Sequence, residues 1–451
     1  MKRFELKKGL DVPISGAPVQ NPASSEMVRF SKVALTGDDY IGMKPTMEVK
    51  EGERVKTGQL LFTDKKTEGI RYTSPATGKV TAINRGAKRK FETIVIEIEE
   101  DDHISFVDPA AKSPDKYKSD EIRSILQESG MWCSFRTRPF GKVPAIASSP
   151  AALFITATDT RPLAADPAVI INASLQHFST GLDILACFQR EPMYLCLRES
   201  SAIQISPPQA MEVVEFTGPH PAGLSSTHIH MLDQARESRI VWHIDYQDVI
   251  AIGHLFTTGH LQTEKTIALA GPSVTTPRLI TVRQGADIHE ICAGELLSTP
   301  ARIVSGSILD GREVDEFHHF LGRYHNQISA LHEGSGRAPF SWAMPGSDRF
   351  SIKRLFTSAL HKTRKFAMNT ALWGGERAIY PIDSYARVMP LDIVPLALLK
   401  SIAVCDTEKS RNLGALELIE EDLALCSFVC PGKNDFGPML RRVLTEIELE
   451  G

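Results

Sequence analysis

Two groups of residues have the types and spacing that site chemistry needs. The first is histidine: His228-Ile-His230, His243, His254, His260 and the pair His318-His319. A His-x-His pair on a strand puts two imidazoles on one face, as zinc ligation requires. No cysteine or carboxylate stands nearby at zinc-like spacing, and there is no H-E-x-x-H. Histidines making ordinary hydrogen bonds, with no metal, are therefore expected. The second group is Cys426-Ser-Phe-Val-Cys430-Pro-Gly. An iron–sulfur cubane is held by four thiolates, often in a C-x2-C-x2-C-x3-C-P run. Only the terminal C-x3-C-P stands here, and two thiolates cannot hold such a cluster.

A third candidate is a lysine. Val49–Leu61 reads V-x-x-G-x-x-V-x-x-G-Q-x-L, and Ser74-Pro-Ala-Thr-Gly-Lys-Val80 follows. Such paired strings resemble the biotinyl/lipoyl hammerhead, where glycines make tight turns and valines fill a small barrel. A carrier lysine would lie between them, close to Lys65. The hairpin is about two residues longer than a lipoyl hairpin, so an unmodified barrel-sandwich module is expected. Nucleotide chemistry is not signalled: no G-x-G-x-x-G follows the first α/β strand and no G-x-x-x-x-G-K-[ST] occurs. No G-x-S-x-G elbow or Ser-His-Asp arrangement is defensible, so no catalytic residue is assigned.

These residues need elements to position them. Residues 1–103 read as β-rich, with turn glycines between short runs such as Lys79–Ile83 and Thr93–Ile98. Residues 104–255 alternate. A helix capped by Ser119 or Asp120 precedes a strand at Ala152–Ala157, a helical stretch over Ala168–Phe188, and strands at Tyr194–Leu197 and Glu212–Phe216. That alternation predicts a largely parallel sheet. Residues 256–335 predict a small α+β module with one helix near Asp287–Leu297. From 336 to 451 the pattern turns helical, with candidates at Ser351–Lys362, Asp392–Val404 and Gly414–Cys430.

The chain has 451 residues, enough for three or four domains. Its net charge is −4, with no basic excess to suggest a nucleic-acid partner. The start, MKRFELKKGLDVP, lacks the apolar region of a secretory signal. No run approaches the ~18 apolar residues of a spanning helix. Seven scattered cysteines predict reduced thiols in the cytoplasm.

Taken together, the strings resemble one family over nearly the whole chain. They are KGLD (8–11) with GAP (16–18), VKTGQLLF (55–62), INRGAKR (83–89), RPFGKVP (138–144), LAADP (163–167), VWHIDYQDV (241–249), ALAGP (268–272), GGER (374–377), VMPLD (388–392), and EEDLALC (420–426) with CPGK (430–433). The chain resembles the A-subunit family of the Na⁺-translocating NADH:quinone oxidoreductase. The resemblance implies an α/β and α+β multidomain fold. Its order is a barrel-sandwich domain (1–103), a Rossmann-like domain without a nucleotide fingerprint (104–255), a ubiquitin-like, SLBB-type domain (256–335) and a helical domain with a degenerate iron–sulfur motif (336–451). It also implies a component peripheral to the bacterial inner membrane, on its cytoplasmic side, bound to other subunits and especially to a membrane subunit. Such a component holds no firmly bound cofactor, has ubiquinone as a ligand, and is not catalytic in isolation. NADH, flavins and iron–sulfur centres belong to the other subunits. The alternatives are a lipoyl- or biotin-type carrier working through Lys65, and a flavin- or NADH-binding oxidoreductase subunit.

A quinone head needs hydrogen-bond donors for two carbonyls, and its tail needs an apolar groove. The loops around Ala152–Ala157 offer Arg136, Arg138, Phe140 and Lys142 before the strand, and Asp159, Thr160, Arg161 and Asp166 after it. Arg138 or Lys142 can donate to a carbonyl and Phe140 can stack on the ring. His228 and His230 are the other candidates. The competing expectation pairs these cations with Asp159 or Asp166 merely to fix the loops.

Overall fold

The computed structural model describes residues 2–21, 28–189, 191–297, 300–334, 344–361 and 363–450. Two small sheets form the first unit. One orders Lys32–Thr36, Phe91–Ile98, Gly78–Arg85 and Arg54–Val55; the other orders Pro45–Met47, Leu60–Asp64 and Arg71–Thr73. Val33, Val55, Leu61, Phe62, Val80, Ile94 and Ile96 fill the space between them and are buried. Lys65 is exposed, just after Leu60–Asp64, in the turn leading to Arg71–Thr73.

The second unit is built on a six-stranded sheet. Its order is Lys2–Glu5, Met211–Thr217, Met193–Arg198, Leu153–Ala157, Val241–Asp245 and Arg136–Arg138. The first five strands are parallel and the last is antiparallel. Leu153, Phe154 and Ile155 are all fully buried, as parallel strands covered on both faces must be. Lys2–Glu5 therefore belongs to this sheet and not to the barrel that follows it in sequence. From Leu153–Ala157 the chain winds outward through two strands. It then returns to the other side at Val241–Asp245, so the winding direction reverses between those two neighbours. Open sheets of this kind bind ligands beyond the carboxyl ends of the strands at that reversal.

Two helices, Leu175–Phe188 and Tyr246–Thr258, pack closely through glycines. A Cβ on Gly253 would lie 1.8 Å from the His177 carbonyl oxygen, and one on Gly181 would lie 2.1 Å from that of Val249. The single helical stretch expected over Ala168–Phe188 is two helices, Pro167–Ala173 and Leu175–Phe188, parted at Ser174. His228 and His230 would share a face only on a strand. They lie on the helix Ser225–Leu232, where residues two apart point to different sides.

A five-stranded mixed sheet forms the third unit, ordered Arg278–Arg283, Glu264–Ala270, Gln327–His332, Ala301–Ser305 and Arg312–Glu313. Its helix is only Ile288–Cys292, with Asp287 as the cap. In the last unit, the described residues of 344–383 hold one 3-10 turn, Thr357–Leu360, where a helix over Ser351–Lys362 was expected. Residues 336–343 and Lys362, parts of that helical expectation, lie outside the described residues. Five helices follow: Ser384–Val388, Pro395–Ala403, Thr407–Asn412, Ala424–Val429 and Phe436–Glu450. The helix expected over Gly414–Cys430 is instead two 3-10 turns, Ala415–Glu417 and Glu420–Leu423, before Ala424–Val429. Among the described residues no helix is long and apolar enough to cross a membrane.

Candidate functional site

At the reversal point lies a cavity of about 330 Å³ lined by all four units. The barrel contributes Asp38, Asp39 and Ile41. The six-stranded sheet contributes Thr156, Asp159, Arg161 and Asp245 from its strand ends. The third unit contributes Asp310, Arg312, Tyr324 and Asn326, and the last unit Ile419, Glu420 and Glu421.

Ion pairs between units frame it. Arg161 Nε donates to Asp310 Oδ2 at 2.8 Å, and its Nη2 donates to Glu421. Asp159 lies 3.5 Å from Nη1 of the same guanidinium. Burial alone would lower the Arg161 pKa, but Asp310, Glu421 and Asp159 hold it well above the usual arginine range. Burial would likewise raise Glu421; Arg161, Arg136 and Arg138 hold it below the usual carboxylate range. Arg323 makes a bidentate pair with Asp248, at 2.7 and 3.2 Å, while its backbone N–H donates to Asp39 at 2.8 Å. Arg136 lies over the Tyr324 ring, 4.4 Å from its centroid.

Asp245 ends its strand and begins the next helix. Its Oδ1 accepts the Gln247 N–H at 2.9 Å, an N-cap, and its Oδ2 accepts from Asn326 Nδ2 at 3.2 Å. Burial pushes its pKa up to about 6, so this carboxyl can exchange a proton near neutrality. His243 is held neutral by burial and by Arg138, whose Nη1 donates to its Nε2 at 2.7 Å. Four side chains of the lining carry buried polar atoms with no partner: Thr156 Oγ1, Asp310 Oδ1, Asn326 Oδ1, and both Nε and Nη2 of Arg312. Buried polar atoms are normally satisfied. A set of five around one cavity suits a polar ligand or ordered water.

Residues after the central strand read Thr158-Asp159-Thr160-Arg161-Pro162-Leu163, without glycine. A nucleotide phosphate there would meet the Asp159 carboxylate instead of a cradle of N–H groups. In the last unit Cys426 is fully buried, and burial pushes its thiol up to about 12. Burial would also raise Cys430, but hydrogen bonds from Tyr385 Oη (3.1 Å) and Asn434 Nδ2 (3.4 Å) lower it. The Cys430 sulfur thus accepts hydrogen bonds from two side chains.

Of the loop residues offered from sequence for quinone, Arg136, Asp159 and Arg161 line the cavity and Arg138 stands behind it. Arg138 is fully buried, donating to Ser226 at 3.0 Å and Ser225 at 3.2 Å and lying 3.4 Å from Glu421. Lys142 turns away and pairs with Glu448 at 2.6 Å. Phe140 accepts Arg441 Nη1 on its carbonyl at 2.8 Å. Asp166 caps Pro167–Ala173 through the Ala168 N–H at 2.9 Å. His228 Nε2 donates to the Ala222 carbonyl at 3.0 Å, with its ring 4.3 Å from that of Phe216. His230 bonds Glu417 at 2.6 Å and accepts the Asp392 N–H at 3.0 Å. Sequence reasoning missed Asp245, Asp310, Arg312, Asn326 and Glu421. The one local signal was the acidic run Glu420-Glu421-Asp422 before an apolar stretch.

Family models match three parts of the chain: "NqrA N-terminal barrel-sandwich hybrid domain" over 4–99, "NqrA second alpha/beta domain" over 117–261 and "NQRA C-terminal domain" over 266–316. Three relatives are each named as the A subunit of a Na(+)-translocating NADH-quinone reductase. The protein of Hahella chejuensis is 50% identical over 450 residues, covering 99% of this chain and 100% of the relative. The Neisseria gonorrhoeae protein is 47% identical over 452 residues, and that of Yersinia pestis 47% over 448, each with the same coverage.

Proposed function

The chain belongs to the NqrA family, the A subunits of the Na⁺-translocating NADH-quinone reductase, and on that premise we propose that it is the cytoplasm-facing peripheral subunit whose central cavity meets the quinone head. The reaction belongs to the whole complex: electrons pass from NADH to quinone, and Na⁺ is moved across the membrane. In this reading the chain holds no redox group of its own. Its α/β unit is Rossmann-like in winding but lacks a phosphate cradle, its third unit is ubiquitin-like, and its last unit is a helical domain.

Two observations support a docked subunit. Leu355, Leu360, Leu372 and Trp373 are large, apolar and well exposed. They lie in a stretch that also carries Lys353, Arg354, Arg364 and Lys365. Exposed large apolar side chains close in sequence to basic ones suit an interaction surface, and other subunits of the complex are the natural cover.

The observation that carries the quinone reading is the orphaned Arg312 Nε and Nη2 beside the cavity. They are free donors of the kind a quinone carbonyl accepts. Asp159 and Asp245 line the same space, and Ile41 and Ile419 give it an apolar edge where an isoprenoid tail leaves. A short-tail ubiquinone titrated into the purified chain should bind saturably. Arg312→Gln should weaken binding by about 1–2 kcal/mol, the scale of one charge-assisted hydrogen bond. The same preparation should show no flavin absorbance and no iron. Unchanged affinity in the variant removes the cavity reading, and stoichiometric flavin or iron removes the cofactor-free one.

A further inference from the structure

His318 and His319 are neighbours in sequence that face different partners. His318 Nδ1 bonds the Asp315 carboxylate at 2.9 and 3.0 Å. Its Nε2 lies 3.3 Å from Glu92 and 3.6 Å from Asp38. Lys90 already sits on both carboxylates, 2.5 Å from Asp38 and 3.3 Å from Glu92. That cluster has its cation.

His319 stands in a different group. Its Nδ1–H donates to the Glu316 carbonyl at 2.9 Å, which assigns the Nε2 lone pair to the other side of the ring. That lone pair lies 3.6 Å from Asp287 Oδ2. The second Asp287 oxygen is in use: it accepts the N–H groups of His289 at 2.9 Å and Glu290 at 3.3 Å. The His289 ring stacks on that of His319, with centroids 4.9 Å apart and planes 6° from parallel, so the exposed His289 side chain must turn for both lone pairs to meet one ion. One ligand atom from each of Asp287, His289 and His319 falls within 4.8 Å of the other two. An imidazole nitrogen and a carboxylate oxygen facing each other across such a gap are drawn together by a proton or a metal ion between them. Among the described residues no lysine or arginine is paired with Asp287.

Backbone hydrogen bonds hold the group in place. The Ile288 N–H donates to the His319 carbonyl at 2.8 Å, and the Leu321 N–H to the Ala286 carbonyl at 2.9 Å. Asp287 is buried while His289 is exposed, so the group opens to solvent on one side.

We propose that Asp287, His289 and His319 form a site for a divalent metal of the zinc class, open to water at its fourth position. Two imidazoles and one carboxylate suit borderline cations such as Zn²⁺ and Co²⁺, whereas Mg²⁺ and Ca²⁺ prefer all-oxygen shells. The Glu316 carbonyl on His319 Nδ1 is the outer hydrogen bond that fixes a ligating tautomer. A bound metal would tie the start of Ile288–Cys292 to the 315–320 loop.

The test is Zn²⁺ titration calorimetry on the full-length, tag-free chain, with Co²⁺ absorption reporting coordination geometry. Wild type should take one tight equivalent. His289→Gln and His319→Gln should each weaken it by about tenfold or more, the scale of a lost ligand or ligand support, with unchanged thermal unfolding in the metal-free state. His318→Gln should leave it intact. Three results overturn the proposal: no stoichiometric binding, binding that survives His319→Gln, or binding lost in His318→Gln but kept in His319→Gln.

Discussion

At the scale of single residues, His228 shows how burial replaces chemistry. Its Nε2–H is satisfied by the Ala222 carbonyl, its Nδ1 has no partner, and burial holds its pKa down at about 4. An unfolded histidine titrates near 6.5. As pH falls below that value the unfolded chain takes up a proton that the folded chain refuses until about 4. Stability from this group is therefore complete above the unfolded pKa and drains away as pH falls through the window. A His228→Phe variant should lose that dependence. The stability difference between neutral pH and the lower end of the window should shrink by roughly 3 kcal/mol, read from denaturant unfolding at several pH values. An unchanged slope would mean that the ring is hydrated. From sequence the same residue was expected to make ordinary hydrogen bonds, and the His-x-His pair could offer two ligands on one face only on a strand. A short run of that kind fits a helix equally well, and the tertiary packing under Phe216 decided it.

At the scale of elements, the contact between Leu175–Phe188 and Tyr246–Thr258 is the tightest test of packing. Gly181 and Gly253 bring the two backbones together where no side chain fits. Gly253→Ala should cost about 1–3 kcal/mol through overpacking, seen as a lower unfolding temperature, while the metal and quinone titrations stay measurable. A neutral result would show that the helices can slide apart. The strands of both sheet-rich units were legible, since Leu153–Ala157 and the valine-spaced barrel runs carry their own periodicity. The helix expected at Gly414–Cys430 was not, because Glu420 and Glu421 leave the helical path to reach Arg441 and Arg161. Those arginines lie in other elements, and no local pattern announces them. The expected helix over Ser351–Lys362 failed for a related reason: Leu355 and Leu360, its would-be core face, are 73% and 80% exposed. An apolar stripe with no partner in the same chain does not have to become a helix.

At the scale of the molecule, the cavity exists only because four units converge on it, which is why its residues were largely invisible in the sequence. Asp39, Asp245, Arg312 and Glu421 are separated by long stretches of chain. Glu421 is one of several ties of the last unit, bonding Arg161 and standing 3.4 Å from Arg138. Glu421→Gln should loosen that tie, so that limited proteolysis cuts the stretch 344–383 severalfold faster than in wild type. Equal rates would show that the helices of the last unit are held by other contacts. The strand Lys2–Glu5 makes a different kind of connection across the molecule. It hydrogen-bonds to Met211–Thr217, with the entire barrel lying between them in sequence. On a ribosome adding about 5–20 residues per second, that strand waits roughly 10–40 s for its partner. The barrel can close before its own leading segment has anywhere to go. A fusion placed ahead of Lys2 would thus burden the edge of the second sheet, and a barrel excised from Lys32 onward would leave that edge bare.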